Sequence, residues 1–126
     1  MNIHDYIRTK RLRRGDLGSI EQDEFIDVIV ALIHASGGRA RRQVVLDQIL
    51  NLLKPQFHEA DYELLLSQNP PKERWIHNVD WAKRKLVERG LLLKPERSPY
   101  GTWVLTETGK TAAETCLPKV RLNKDH

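Results

Sequence analysis

Arg39, Arg41 and Arg42 stand directly after Gly37-Gly38 and directly before the apolar series Val44, Val45, Ile49, Leu52 and Leu53. The chemistry open to them is anion binding. Positive charge at a helix start opposes the helix dipole, so a purely structural sequence favours acids there. A phosphate docked on that N-terminus reverses the sign of the argument, and the three arginines read as phosphate contacts. A second group, Arg74, His77, Arg84 and Lys85, lies on a helical stretch further along. Arginine can fork onto guanine O6 and N7, while His77 is equally a contact or a passive surface residue. Asp80 and Glu88 share that face and would repel phosphate, unless each pairs with Arg84 four residues away. Lys94, Arg97 and Tyr100 bracket a loop. Arg97 near its tip either meets a minor groove and its phosphates or is a solvated charge. Arg11, Arg13 and Arg14 belong to an N-terminal stretch with three readings: an arm in a minor groove, a solubilising tail, or a segment for a protein partner.

Catalytic patterns are missing from the same residues. A restriction-type nuclease core needs a carboxylate two residues before a lysine, to hold Mg²⁺ and support the attacking water. No Asp or Glu here has a Lys at that spacing. There is no glycine-rich phosphate loop, and His4, His34, His58, His77 and His126 never recur at metal-ligand spacing. The chain therefore reads as a non-enzyme with no cofactor and no metal.

The 126 residues suffice for one domain. With 21 Lys and Arg against 17 Asp and Glu the net charge is +4, and the charge is segregated. Residues 1–20 hold five bases and two acids, and residues 21–36 hold four acids and no base. Residues 37–57 hold four bases and one acid, residues 58–67 three acids and no base, and residues 72–97 eight bases and four acids. Opposite-signed faces are expected where one side meets a polyanion. Val28 to Ile33 is the longest apolar run, far below the ~20 residues of a membrane span. The basic stretch from Met1 to Leu17 has no apolar segment behind it, unlike a signal peptide. Cys116 is the single cysteine, so an internal disulfide is excluded and a reduced, cytoplasmic setting fits.

The positions of these side chains depend on the elements that carry them. Ile3 and Ile7 are spaced for a helical piece in an otherwise basic arm over 1–18. Ser19 and Gln22 match a capping box ahead of a helix over about 20–36, with Phe25, Val28, Ile29, Leu32 and Ile33 on its apolar face. A second helix is expected over 42–54, ended by Pro55, and a short helical piece over 59–67, broken at Asn69-Pro70-Pro71. The third helix runs from about Lys72 to Arg89. Its residues Trp75, Val79, Ala82 and Leu86 fall within about 60° of one another at 100° per residue. On that wheel Trp81 lies off the core stripe, either as an exposed contact platform or packed against a neighbouring element. Leu91–Lys94 and Thr102–Leu105 read as antiparallel mates, followed by a short helix capped by Thr106. Residues 117–126 form a polar tail.

Three helices followed by strand, loop and strand is the order of a winged helix-turn-helix, mainly α with a small antiparallel β-hairpin. Residues 25–109 resemble the N-terminal winged-helix domain of Mrr-type restriction systems. The resemblance is carried by Gly37-Gly38, Val79-Asp80-Trp81-Ala82 with Leu86, Gly90-Leu91-Leu92, and Gly101-Thr102-Trp103-Val104-Leu105-Thr106 with Gly109. It implies double-stranded DNA binding as the specificity part of a larger enzyme, with a separate nuclease subunit or other protein as partner. It leaves residues 1–18 unexplained, and these residues include no nuclease half. The expected unit is a winged-helix domain over 19–116, free-standing, with a homodimer as one further arrangement. The rival expectation is a protein-interaction winged helix that uses its acidic first helix or the Trp81 region.

Overall fold

The computed structural model describes residues 2–116. Five helices are α1 (Ile3–Thr9), α2 (Glu24–Ala35), α3 (Arg42–Leu53), α4 (Arg74–Glu88) and α5 (Glu107–Cys116). Four short strands are β1 (Arg39–Arg41), β2 (Leu64–Leu65), β3 (Lys72–Glu73) and β4 (Thr102–Val104).

Helix α2 is the central element because its sequence is apolar nearly all round. Phe25, Ile26 and every residue from Val28 to Ile33 are buried, as expected of a helix enclosed on all sides. It packs against α4, α1, α3 and α5. Helix α4 offers Trp75, Val79, Ala82 and Leu86 to the core, the stripe read from the sequence, and adds Asn78. Helix α3 contributes Val45, Leu46, Ile49, Leu52 and Leu53. Leu92, Trp103 and Leu105 close the core from the strand side.

Strand β4 takes a further partner beside the expected hairpin mate. Strand β4 lies antiparallel to β1, with Arg39 opposite Val104, Ala40 opposite Trp103 and Arg41 opposite Thr102. The expected pairing of Leu91–Lys94 with Thr102–Leu105 is present in short form: Leu92 bridges Leu105 antiparallel, flanked by hydrogen bonds from Leu93 N to Val104 O at 2.9 Å and from Thr106 N to Leu91 O at 3.0 Å. The cause is local. Gly90 (φ +76°) reverses the chain after α4, and Leu91 N still donates to Leu86 O, so extended backbone starts late. Pro95 then starts a 3-10 turn through Arg97. Around the added α1 and β2–β3 hairpin, the order α2, β1, α3, α4, the bridged Leu92 stretch, the wing (residues 95–101) and β4 is consistent with a winged helix-turn-helix.

Two further expectations are corrected. The piece over 59–67 is a 3-10 turn (Glu59–Tyr62) followed by β2, which pairs with β3 as a small hairpin between α3 and α4. Ser19 does not cap α2. It is buried, and the helix begins later behind Asp23, through turns in which Glu24, Phe25 and Ile26 N–H groups donate to Glu21, Gln22 and Asp23 carbonyls.

Residues 2–18 fold onto the domain instead of trailing from it. Ile3, Ile7 and Leu12 join the core beneath α2 and α3. Gln56 fixes the chain beyond α1, donating to Lys10 O at 2.7 Å and accepting from Leu12 N at 3.3 Å. Asp61, completely buried, accepts from Ile20 N and His58 N at 2.8 Å each and from Arg14 Nη1 at 3.1 Å. Apolar residues at helical spacing made this docking favourable, and the paired carboxylate made its burial affordable in hydrogen-bond terms. The expected polar tail over 117–126 lies outside the described residues.

Ile7 is 0% exposed. Ile7→Ala should therefore cost about 2–5 kcal/mol in urea-induced unfolding, the range for a buried Ile truncated to Ala. A loss below about 0.5 kcal/mol, the range for surface substitutions, would mean that the N-terminal helix is not part of the core.

Candidate nucleic-acid interface

The basic residues of α3, α4 and the wing meet around one side chain. Arg42 opens α3, and its backbone N–H donates to Gly101 O of the wing at 2.8 Å. Its guanidinium grips Asp80 of α4 with two hydrogen bonds, Nε to Oδ1 at 3.1 Å and Nη2 to Oδ2 at 2.8 Å. Lys72 Nζ reaches the same Oδ2 at 2.9 Å. Burial pushes the Asp80 carboxyl up, but the hydrogen bonds from Arg42 and Lys72 outweigh it and hold the group below its ordinary value. Asp80 therefore stays ionised, and its charge is spent inside the protein. The expected pairing with Arg84 does not form: the i, i+4 rule orders neighbours on one helix, whereas here a bidentate partner arrives from another helix. Glu88 pairs instead with Lys85 at 3.3 Å.

Beside this junction lies a groove of about 470 Å³. Arg41 and Gln43 at the start of α3 form one wall, Lys83 of α4 the next, and the wing from Pro95 to Gly101 the third. Arg41 holds the N-cap position without a side-chain acceptor for the helix N–H groups, and the first turn of α3 carries no acid, so no carboxylate of that turn offsets the positive end of its dipole. Burial and the neighbouring Arg84 lower the pKa of Lys83, with Asp80 opposing. Burial likewise lowers His77, followed by the positive charges of Lys72 and Arg84, with Asp80 opposing. Arg84 is exposed and makes no ion pair among the described residues. Arg39 is exposed on β1, and Lys94 and Arg97 are exposed on the wing.

Other expected contacts are engaged elsewhere. Arg74 Nη2 bonds Glu63 at 2.7 Å on the β2–β3 side of the molecule, away from the wing. Lys85 lies over the Trp81 ring at 5.4 Å, and Trp81 is half-buried against the core. Arg13 faces Glu21, Asp23 and Glu24, and Arg14 bonds Asp61 and Gly18 O. Arg11 is exposed on the same segment. Arg13 and Arg14 neutralise acids of the fold, whereas Arg11 makes no ion pair among the described residues.

Lys83 and Lys72 escaped the sequence reading. Lys83 stands 80° from Trp75 on a helical wheel, beside the core stripe and not opposite it. It becomes a groove residue because the wing and α3 pack on that flank. Nothing local signals this, and nothing near Lys72 signals its partner eight residues on.

Among the described residues no helix is long and apolar enough to cross a membrane, and no group of three His, Cys, Asp or Glu could hold a metal ion. The family model described as the Mrr N-terminal domain matches residues 23–115. The chain belongs to the Mrr N-terminal domain family. That family is associated with restriction systems, and its domain is distinct from the nuclease domain. No curated protein and no solved structure matches the chain. The match begins at Asp23 and so excludes α1 and the loop that docks it.

Asp80→Asn should destabilise the protein by about 1–3 kcal/mol at neutral pH, the range for charge-assisted hydrogen bonds in a partly buried site. The folded-state pKa of Asp80 is depressed, so its contribution is complete above the unfolded value of about 3.9 and is lost as pH falls through the lower folded value. The gap between wild type and Asp80→Asn in urea unfolding should therefore narrow on acidification below that point. A gap that stays constant into strong acid would mean that the carboxylate is not held by Arg42 and Lys72.

Proposed function

We propose that the chain binds double-stranded DNA through the start of α3, the outward face of α4 and the wing. The observation that carries this reading is the shared groove of Arg41, Lys83 and the wing, fixed by Arg42 on Asp80. The start of α3 with Arg41 suits a phosphate, through helix amides and the dipole. Arg84 and His77 face outward from α4, where a major groove about 12 Å wide admits a helix. Lys94 and Arg97 extend the contact along the wing, and Arg39 flanks it on β1. Arg42 acts as a positioning residue, because Asp80 takes its fork. In this reading the chain is the recognition component of a restriction or regulatory assembly, working with a nuclease or another protein.

A second reading has one observation of its own. Leu64 and Leu66 on the β2–β3 hairpin are 53% and 76% exposed. Such side chains suit a protein contact. Association with a protein in place of duplex DNA, insensitive to salt, would favour that reading.

Duplex binding followed by fluorescence anisotropy between about 50 and 200 mM salt should give a log–log slope near −4 to −5, for about five phosphate contacts. Reversing Arg41, Lys83 and Arg84 to Glu together should flatten the slope by about three units and weaken every duplex sequence alike. Lys85→Glu, on the opposite flank of α4, should leave the slope nearly unchanged. A triple variant that binds like wild type would contradict the assignment.

A further inference from the structure

The wing carries an aromatic side chain that the fold does not use. Tyr100 is fully exposed, at 104%, whereas Trp103 three residues on is buried. The turn that presents Tyr100 is stiff. Pro95 and Pro99 fix their own φ, and Gly101 takes φ +71°, a conformation that disfavours other residues. Ser98 N donates to Pro95 O at 3.3 Å, Thr102 N to Pro99 O at 3.0 Å, and Arg42 N to Gly101 O at 2.8 Å. The ring is thus held out from the domain by a hydrogen-bonded turn anchored on α3.

Tyr100 and Pro99 line the same groove as Arg41 and Lys83. Its volume of about 470 Å³ falls within the ~300–1,000 Å³ of sites that hold small molecules. An aromatic face beside two cations matches a nucleotide, since every base has a π-face and carries its phosphate with it. A double helix in its stacked form offers phosphates but no base face. To use the Tyr100 ring, a base must leave the stack.

We propose that the groove takes one nucleotide turned out of the duplex, with its base against Tyr100 and its phosphate between Arg41 and Lys83. The proposal rests on the DNA-binding reading above and adds a preference to it. Turning a base out costs least where pairing is already broken, so a duplex with one mismatched or unpaired base is the favoured ligand. The phosphate contacts elsewhere on the face are unchanged by the choice of duplex.

The test is anisotropy with two duplexes that differ only at one central pair, one matched and one mismatched, titrated with wild type, Tyr100→Phe and Tyr100→Ala. Tyr100 is exposed, so neither substitution disturbs the core. Wild type should bind the mismatched duplex about tenfold more tightly, within the range measured for one base stacked on one aromatic ring. Tyr100→Phe should keep the preference. Tyr100→Ala should abolish it while binding the matched duplex with the wild-type salt slope. Equal affinity of wild type for the two duplexes, or a preference that survives Tyr100→Ala, would overturn the proposal and leave duplex binding intact. Absence of salt-dependent binding to either duplex would overturn both readings together.

Discussion

Arg42 is where three parts of the domain are joined. Its backbone ties the wing to the start of α3, and its guanidinium ties α3 to α4 through Asp80. The planar fork matters, because two parallel hydrogen bonds fix direction as well as distance. Lys72 completes the carboxylate's coordination from the β2–β3 side. The consequence is electrostatic as much as mechanical. A lone carboxylate on the outward side of α4 would repel a polyanion, but one shared by two cations leaves the surrounding field positive. Arg41, Lys83 and Arg84 then remain available, and their positions are set by elements that Arg42 holds in register.

The same logic runs with opposite outcome in the N-terminal segment. There the bases of the N-terminal segment meet acids of the core: Arg13 against Glu21, Asp23 and Glu24, and Arg14 against buried Asp61. Charge is consumed in docking the segment, and Ile3, Ile7 and Leu12 supply the apolar contact that makes docking favourable. Helix α1 lies outside the residues matched by the family model. Two basic stretches of similar composition thus serve different ends. One neutralises acids within the fold, and the other is left facing solvent beside the wing.

Much of this was legible in the residues. The Trp75, Val79, Ala82 and Leu86 stripe appears in α4 as the wheel requires, because burial on one face of a helix is a local pattern. The apolar surround of α2 and the glycines after it mark its burial and its end. Ile3 and Ile7 showed a helix but not where it docks, since that depends on an apolar surface assembled from α2 and α3. The nearby apolar Leu91–Lys94 was legible as a mate of the last strand, but its second partner was not, for a related reason: β1 is three residues long and lies far back in the chain. Ion pairs failed most often. Asp80 has a cation at i+4, and the sequence offers no hint that Arg42, 38 residues earlier, competes for it with better geometry. Lys83 became part of the groove only once the wing had packed beside it.

The central claim is that the start of α3, the Lys83–Arg84 side of α4 and the wing form one binding face, separate from the basic N-terminal segment. Amide chemical-shift perturbation of the labelled protein on addition of duplex DNA tests it most directly. The account predicts shifts concentrated at Arg41 to Gln43, Lys83, Arg84 and Lys94 to Gly101, with Arg13, Arg14 and Arg74 undisturbed. Shifts centred on residues 11–14 or on the β2–β3 hairpin, with the wing silent, would contradict it.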